Sequence, residues 1–436
     1  MRLQWVIGCV AVCVALAGAP AGAAERPLDF LQALRNKDYF DYAIFYLDEL
    51  EARGNLDPDV RERLAYERGM TLLDQAGRTR DSEAQSRLYD EARKQFEKFL
   101  KEHPEHRLAG QANSEVAEVI TGKAKALILQ ANSPNNTGRR AELQKQAREL
   151  LTEARKVFQA AYDRYKVEYD SFDKFIPQTD KQRYAAREKA FVNFIQAEFH
   201  LAQMLHEEAQ THEKKSPENI KLLTDAAKAF EGIHAKHRSQ VVGLYARMWQ
   251  GKCFEEQDEL TTALGIYNEL LEHRGKDDSP LEDLQARVLQ FRLVCLNHEK
   301  RKDWQLVVPE AQRWLKANRN AATSRVGLGI QWELVRAQEM MSRAESTPDA
   351  DRRKLQQSAL DAARKINRYP GEYKDPSTAM IRRLLADLDR GSGDPKDFAT
   401  GFSLARTQIE EIRSKNALIQ QSHGAERQKL SDELLP

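Results

Sequence analysis

The residues of this chain most able to do chemistry are its ten histidines and four cysteines, and their spacing limits what they can do. HEEAQ at His206 follows the helical His-Glu-x-x-His zinc phrase until Gln210 stands where the second imidazole belongs. His103 and His106 flank Pro104 at a turn, and His234 and His237 lie one helical turn apart. Each pair supplies two ligands with no third at a recognisable spacing, so both read as solvated surface. There is no Gly-x-Ser-x-Gly elbow and no phosphate-cradling glycine loop. Gly327 and Gly329 in GLGIQW open a helix with no strand before it, which excludes a dinucleotide turn. The sequence therefore predicts no catalytic residue, no metal site and no cofactor.

Aromatic residues are more suggestive. Phe158, Tyr162, Tyr165, Tyr169, Phe172 and Ile176 recur at alternating four- and three-residue steps, which predicts one seam along a helix running through all six. Packing against the next long helix explains such a seam. An aromatic groove also explains it, because tyrosines combine rigid apolar area with a hydroxyl at the rim. Both readings stay open, and Tyr162, Tyr165, Tyr169 and Phe172 are the candidate partner-binding residues.

The elements that would position these residues are helices. Alternating strand patterns are missing, whereas helix starts are explicit. Asp57-Pro58, Ser216-Pro217, Ser279-Pro280, Thr347-Pro348, Asp375-Pro376 and Asp394-Pro395 each place a capping oxygen before a proline. The oxygen accepts from an orphan backbone N–H, and proline fills the first helical position, where none is needed. The fold class is all-α. A phrase also repeats: ARKQF at Ala92 returns as ARKVF at Ala154, AAKAF at Ala226 and, loosely, ALGIY at Ala263. Leu88, Ala92, Phe96 and Phe99 share one face, and Pro104 stops the helix. The alanine allows a close helix approach and the aromatic one turn on fills the space beside it.

This pattern resembles the tetratricopeptide repeat, a helix–turn–helix of about 34 residues. The fullest match is residues 244–275, with Gly251 at the small position and Phe254 at the aromatic position of the first helix, then Ala263, Tyr267 and Leu270 in the second. Residues 28–55 match more loosely through Leu31, Leu34, Ala43, Leu47 and Leu50. Gly69 and Leu72 pair with Ala92 and Phe96, and Ala202 and Leu205 with Ala226 and Phe230, each across a lengthened hairpin. Spacings are irregular and many of the repeat's Trp, Leu and Pro positions are absent, so the repeats are degenerate. The resemblance implies an α-solenoid of stacked antiparallel helix pairs with some extended helices. It also implies binding on a concave surface lined by first helices. Ala154 with Phe158 belongs to the same packing set. Cys253 and Cys295 fall on first helices of neighbouring repeats, as buried small side chains or, in an oxidising compartment, as a cross-link.

The ends read differently. An apolar run, VIGCVAVCVALAG, precedes small residues at Ala21 and Ala23, which predicts a signal peptide over 1–23 and an exported, periplasmic or secreted protein. An uncleaved anchor is the competing reading. Cys9 and Cys13 lie inside the run rather than after the small-residue box, which argues against lipidation. RGSGDP at 390–395 divides the repeat region, 24–390, from a polar C-terminal segment, 391–436. There Phe402, Ala405, Ile409, Ile412, Asn416 and Ile419 predict a capping helix or a short coiled-coil seam for a homodimer.

Lys and Arg number 68 against 67 Asp and Glu, so no net field points to nucleic acid or an anionic membrane. The expected function is a non-enzymatic interaction scaffold of the cell envelope that binds a protein or peptide. The alternatives are a regulatory or substrate-holding subunit of an envelope enzyme, or a glycan or peptidoglycan contact through the tyrosines.

Overall fold

Capping chemistry sets several helix starts in the computed structural model. Asp57 accepts from the Asp59 amide at 2.9 Å ahead of Pro58, and the Ser216 hydroxyl accepts from the Asn219 amide at 3.2 Å ahead of Pro217. The structure describes residues 26–390 apart from 54, 178, 239 and 274–280, and beyond them residues 401, 402, 405, 406 and 409. The signal segment, the Ser279-Pro280 and Asp394-Pro395 starts and most of the C-terminal seam lie outside the described residues.

Two starts differ from the prediction. The Thr347 hydroxyl donates to the Met341 carbonyl at 2.7 Å, and Pro348 itself precedes the helix, which begins at Asp349. The helix carrying Pro376 begins at Lys374, with the Ser377 amide donating to the Tyr373 carbonyl. Proline is tolerated at that third position because first-turn N–H groups have no acceptor within the helix.

Among the described residues the chain forms fifteen α-helices and no strand. They are α1 (Pro27–Asn36), α2 (Phe40–Ala52), α3 (Pro58–Arg78), α4 (Ser82–Glu102), α5 (Ala109–Asn132), α6 (Arg140–Asp170), α7 (Lys181–Ala209) and α8 (Pro217–Lys236). There follow α9 (Val241–Glu256), α10 (Leu260–Glu272), α11 (Leu281–Asn297), α12 (Trp304–Ala317), α13 (Arg325–Arg343), α14 (Asp349–Asn367) and α15 (Lys374–Arg390). A 3₁₀ turn at Pro134–Arg139 links α5 to α6. Each helix packs mainly on its neighbours in sequence, which gives a helical repeat-like architecture.

The core is a relay of apolar clusters, each shared by consecutive helices. Leu31, Ala43, Leu47, Leu50 and Leu64 join α1–α3, and Phe96, Phe99, Tyr66 and Ala112 join α3–α5. Ala124, Leu151, Ala154, Phe158 and Met204 join α5–α7, and Ala202, Ala226, Phe230 and Ala246 join α7–α9. A larger cluster continues through α9–α13, and a further one joins α13–α15.

The repeated phrase is the contact that makes this relay. Ala92, Ala154, Ala226 and Ala263 are fully buried, each one turn before a buried Phe96, Phe158, Phe230 or Tyr267. A Cβ on Gly69 would lie 2.8 Å from the Phe96 ring, and one on Gly251 2.7 Å from the Tyr267 ring. Only glycine admits the aromatic there. Phe254 is half-buried against the Tyr267 cluster, and Cys253 and Cys295 are buried free thiols.

Odd-numbered helices also touch one another: α1 with α3, α3 with α5, α7 with α9, α9 with α11 and α11 with α13. The chain comes round far enough that Arg80, between α3 and α4, donates through Nη2 to the Thr323 carbonyl at 2.5 Å, 243 residues on.

Candidate functional site

The longest hairpin carries the predicted aromatic seam. α6 has 31 residues and α7 has 29, against 24 in α5 and 20 in α8. α8 ends level with Glu198 and Phe191: Lys236 pairs with Glu198 at 2.8 Å, and His237 meets the Phe191 ring at 5.5 Å. The ten residues of α7 before that level project by about 15 Å at the usual helical rise.

The seam is shorter than predicted. α6 ends at Asp170, where the Ser171 hydroxyl turns back to donate to the Glu168 carbonyl, so Phe172 and Ile176 lie in the connection beyond it. Pro177 disfavours helical backbone at Ile176 and keeps the helix from resuming there. Within the helix the seam divides. Phe158 is buried and stacks on His200 at 4.7 Å. Tyr162 and Tyr169 pack on Phe194 at 5.2 and 5.9 Å, and Tyr169 also meets Phe191 at 5.2 Å. Tyr165 is half-buried beneath the Arg164 guanidinium at 4.7 Å, and Phe172 is half-buried. Val167 and Phe175, 71% and 80% exposed, stand beside them at the tip. The result is an aromatic surface zipped to its partner helix on one side and open on the other.

A second surface was not foreseen from the sequence. Where odd helices meet, polar side chains form a ladder from one helix to the next. Arg35 on α1 pairs with Glu67 on α3 at 2.8 Å, both buried. His200 on α7 meets Glu118 on α5 at 3.0 Å, and Lys125 on α5 meets Glu207 on α7 at 3.1 Å. His206 on α7 reaches Glu256 on α9 at 3.2 Å. Lys252 on α9 lies over the Phe291 ring of α11 at 4.8 Å. Asn297 on α11 donates to Glu333 on α13 at 2.7 Å, and Arg383 on α15 meets Glu339 on α13 at 3.1 Å. Buried charges persist only when paired and hydrogen-bonded, so the Arg35–Glu67 and His206–Glu256 rungs hold their helices in register.

The charges respond accordingly. Burial opposes the His206 imidazolium, but Glu256 and Glu207 outweigh it and lift its pKa to about 9. Burial also opposes the Glu207 carboxylate, yet Lys125 and His206 hold it down to about 2. Glu115, on the same side of α5, is pushed up to about 7 by burial with the Gln111 side chain as its hydrogen-bond partner. Glu207 is held by Lys125, and Glu256 by His206 through Nε2 and by Gln210, while the buried His206 Nδ1 has no hydrogen-bond partner.

The remaining motifs fall into structural roles. The HEEAQ phrase supplies His206 and Gln210 to one carboxylate, since Gln210 Nε2 also donates to Glu256 at 2.5 Å. Gly327 and Gly329 are packing glycines: a Cβ on Gly327 would meet the Ala321 carbonyl, and one on Gly329 the Gln290 and Tyr373 side chains. His103, Pro104 and His106 line a surface cleft with Asp59 and Glu62. Among the described residues no group of side chains is arranged to hold a metal ion, and no helix is long and apolar enough to cross a membrane. Exposed Tyr39, Tyr42 and Phe45 on the first hairpin also escaped the sequence reading, although their three-residue spacing marks one face of α2. No protein-family model and no curated protein matches the chain.

Proposed function

We propose that the chain is a tetratricopeptide-like solenoid that acts as a non-enzymatic scaffold of the cell envelope, binding a protein or peptide. Its inner wall of odd-numbered helices is the binding face, and the projecting α6–α7 hairpin is the aromatic contact beside it. Support for the solenoid comes from the sequential packing and from the small-residue contacts of Gly69 with Phe96 and Gly251 with Tyr267. Support for export comes from the apolar run and small-residue box at the N-terminus.

The observation that carries the binding reading is the hairpin tip. Tyr162 and Tyr169 are committed to α7, whereas Tyr165 and Phe172 remain half-open beside the exposed Val167 and Phe175. Rigid, partly exposed aromatics are the side chains that most often anchor an interface. Co-purification from envelope fractions, read by mass spectrometry, tests the reading with the wild type and Tyr165→Ala/Phe175→Ser. A protein partner recovered by the wild type and lost by the variant is the expected result. Recovery of glycan without protein, or equal recovery by both forms, contradicts it.

A further inference from the structure

We propose that Arg80 and the loop 368–373 form a clasp closing the helical array into one turn, and that its opening governs access to the inner wall. The proposal rests on the reading of that wall as the binding face. Both halves of the clasp are held rigid by their own surroundings. Arg80 sits in the short link between α3 and α4, where the Thr79 hydroxyl donates to the Gln75 carbonyl at 2.8 Å and Asp81 caps α4 through the Ala84 amide at 2.7 Å. The facing loop is anchored by Tyr373, whose hydroxyl accepts from Gln290 at 2.9 Å, and by Glu372, which receives Arg325 at 3.0 and 3.1 Å.

The Arg80 guanidinium reaches both the edge before α13 and the facing loop, and Arg325 beside that loop also interacts electrostatically with Tyr89 on α4. Arg80 donates to the Thr323 carbonyl and lies over the Tyr369 ring at 5.0 Å, and among the described residues it pairs with no carboxylate. Gly371 makes the approach possible. Its φ is +118°, which disfavours any side chain, and a Cβ there would lie 3.3 Å from Arg80 Cβ and 3.4 Å from the Arg80 carbonyl.

This junction differs from every helix–helix contact along the chain because no apolar cluster spans it. The cluster around Phe96 and the cluster around Leu360 share no residue. The two edges can therefore part while each keeps its own core, as required of an element that opens without unfolding. Closed, the contact brings the edge of the second hairpin against the edges preceding α13 and α15 and narrows the way to the odd helices.

Two variants and one reporter test this. Arg80→Cys/Gly371→Cys places two Cβ atoms 3.3 Å apart, just inside the 3.5–4.5 Å of an ordinary disulfide, with backbone strain at residue 371 that the bond must outweigh. Mild oxidation is expected to give an intramolecular bond, identified by mass spectrometry of the linked peptides. Arg80→Ala/Tyr369→Ala is expected to keep its helical circular dichroism and to sediment more slowly. With Glu115→Cys added as an inner-wall reporter, labelling by a maleimide polyethylene glycol should speed up several-fold in the alanine variant and slow in the cross-linked one. Absence of the cross-link together with unchanged sedimentation overturns the clasp. A slower-sedimenting variant with unchanged labelling overturns the control of access. Neither readout needs a partner, so failure to recover one from the envelope contradicts the binding reading alone.

Discussion

His206 shows how much one side chain decides at the residue scale. Its motif suggests zinc, yet its imidazole spans two odd helices and is only 5% exposed. Its pKa near 9 lies above the ordinary 6.5, so its stabilisation is complete below about pH 6.5 and fades as pH rises through about 9. His206→Gln should cost about 2 kcal/mol at pH 6, leaving Glu256 without its imidazolium, and the difference should shrink by pH 10. Thermal melts of both proteins across that range check it, and a difference independent of pH would show that His206 is not a charged rung. Gly251→Leu should cost on the order of 2 kcal/mol or more, because its side chain would enter the space of the Tyr267 ring. An unchanged denaturation midpoint would mean that the Gly251 contact does not hold the α9–α10 hairpin.

At the scale of elements, the α6–α7 hairpin separates packing from recognition within one aromatic row. Tyr169→Ala removes two ring contacts and should destabilise the protein by about 1 to 3 kcal/mol. Tyr165→Ala, a half-open position, should leave stability within about 0.5 kcal/mol. Chemical denaturation distinguishes the two, and equal losses would return Tyr165 to the core. The elements were largely legible because their signals are local: Asp57 before Pro58, Ser216 before Pro217, alanine one turn before an aromatic. The end of α6 was misread because the three- and four-residue spacing continues past Asp170 by coincidence, while Ser171 and Pro177 stop the backbone. The polar ladder was not legible because Lys125, Glu207 and Glu256 look like solvated helical charges until the odd helices bring them together. The Arg80 contact joins residues 243 apart and leaves no trace in either local pattern.

For the whole molecule, the proposed solenoid is an array of helices around an inner wall instead of a chain collapsed on one core. Small-angle X-ray scattering of the folded protein tests this most directly. A compact chain of this length has a radius of gyration of about 22 Å. The array predicts a value clearly above that, with a distance distribution skewed towards long vectors. A radius near 22 Å with a symmetric distribution would contradict it.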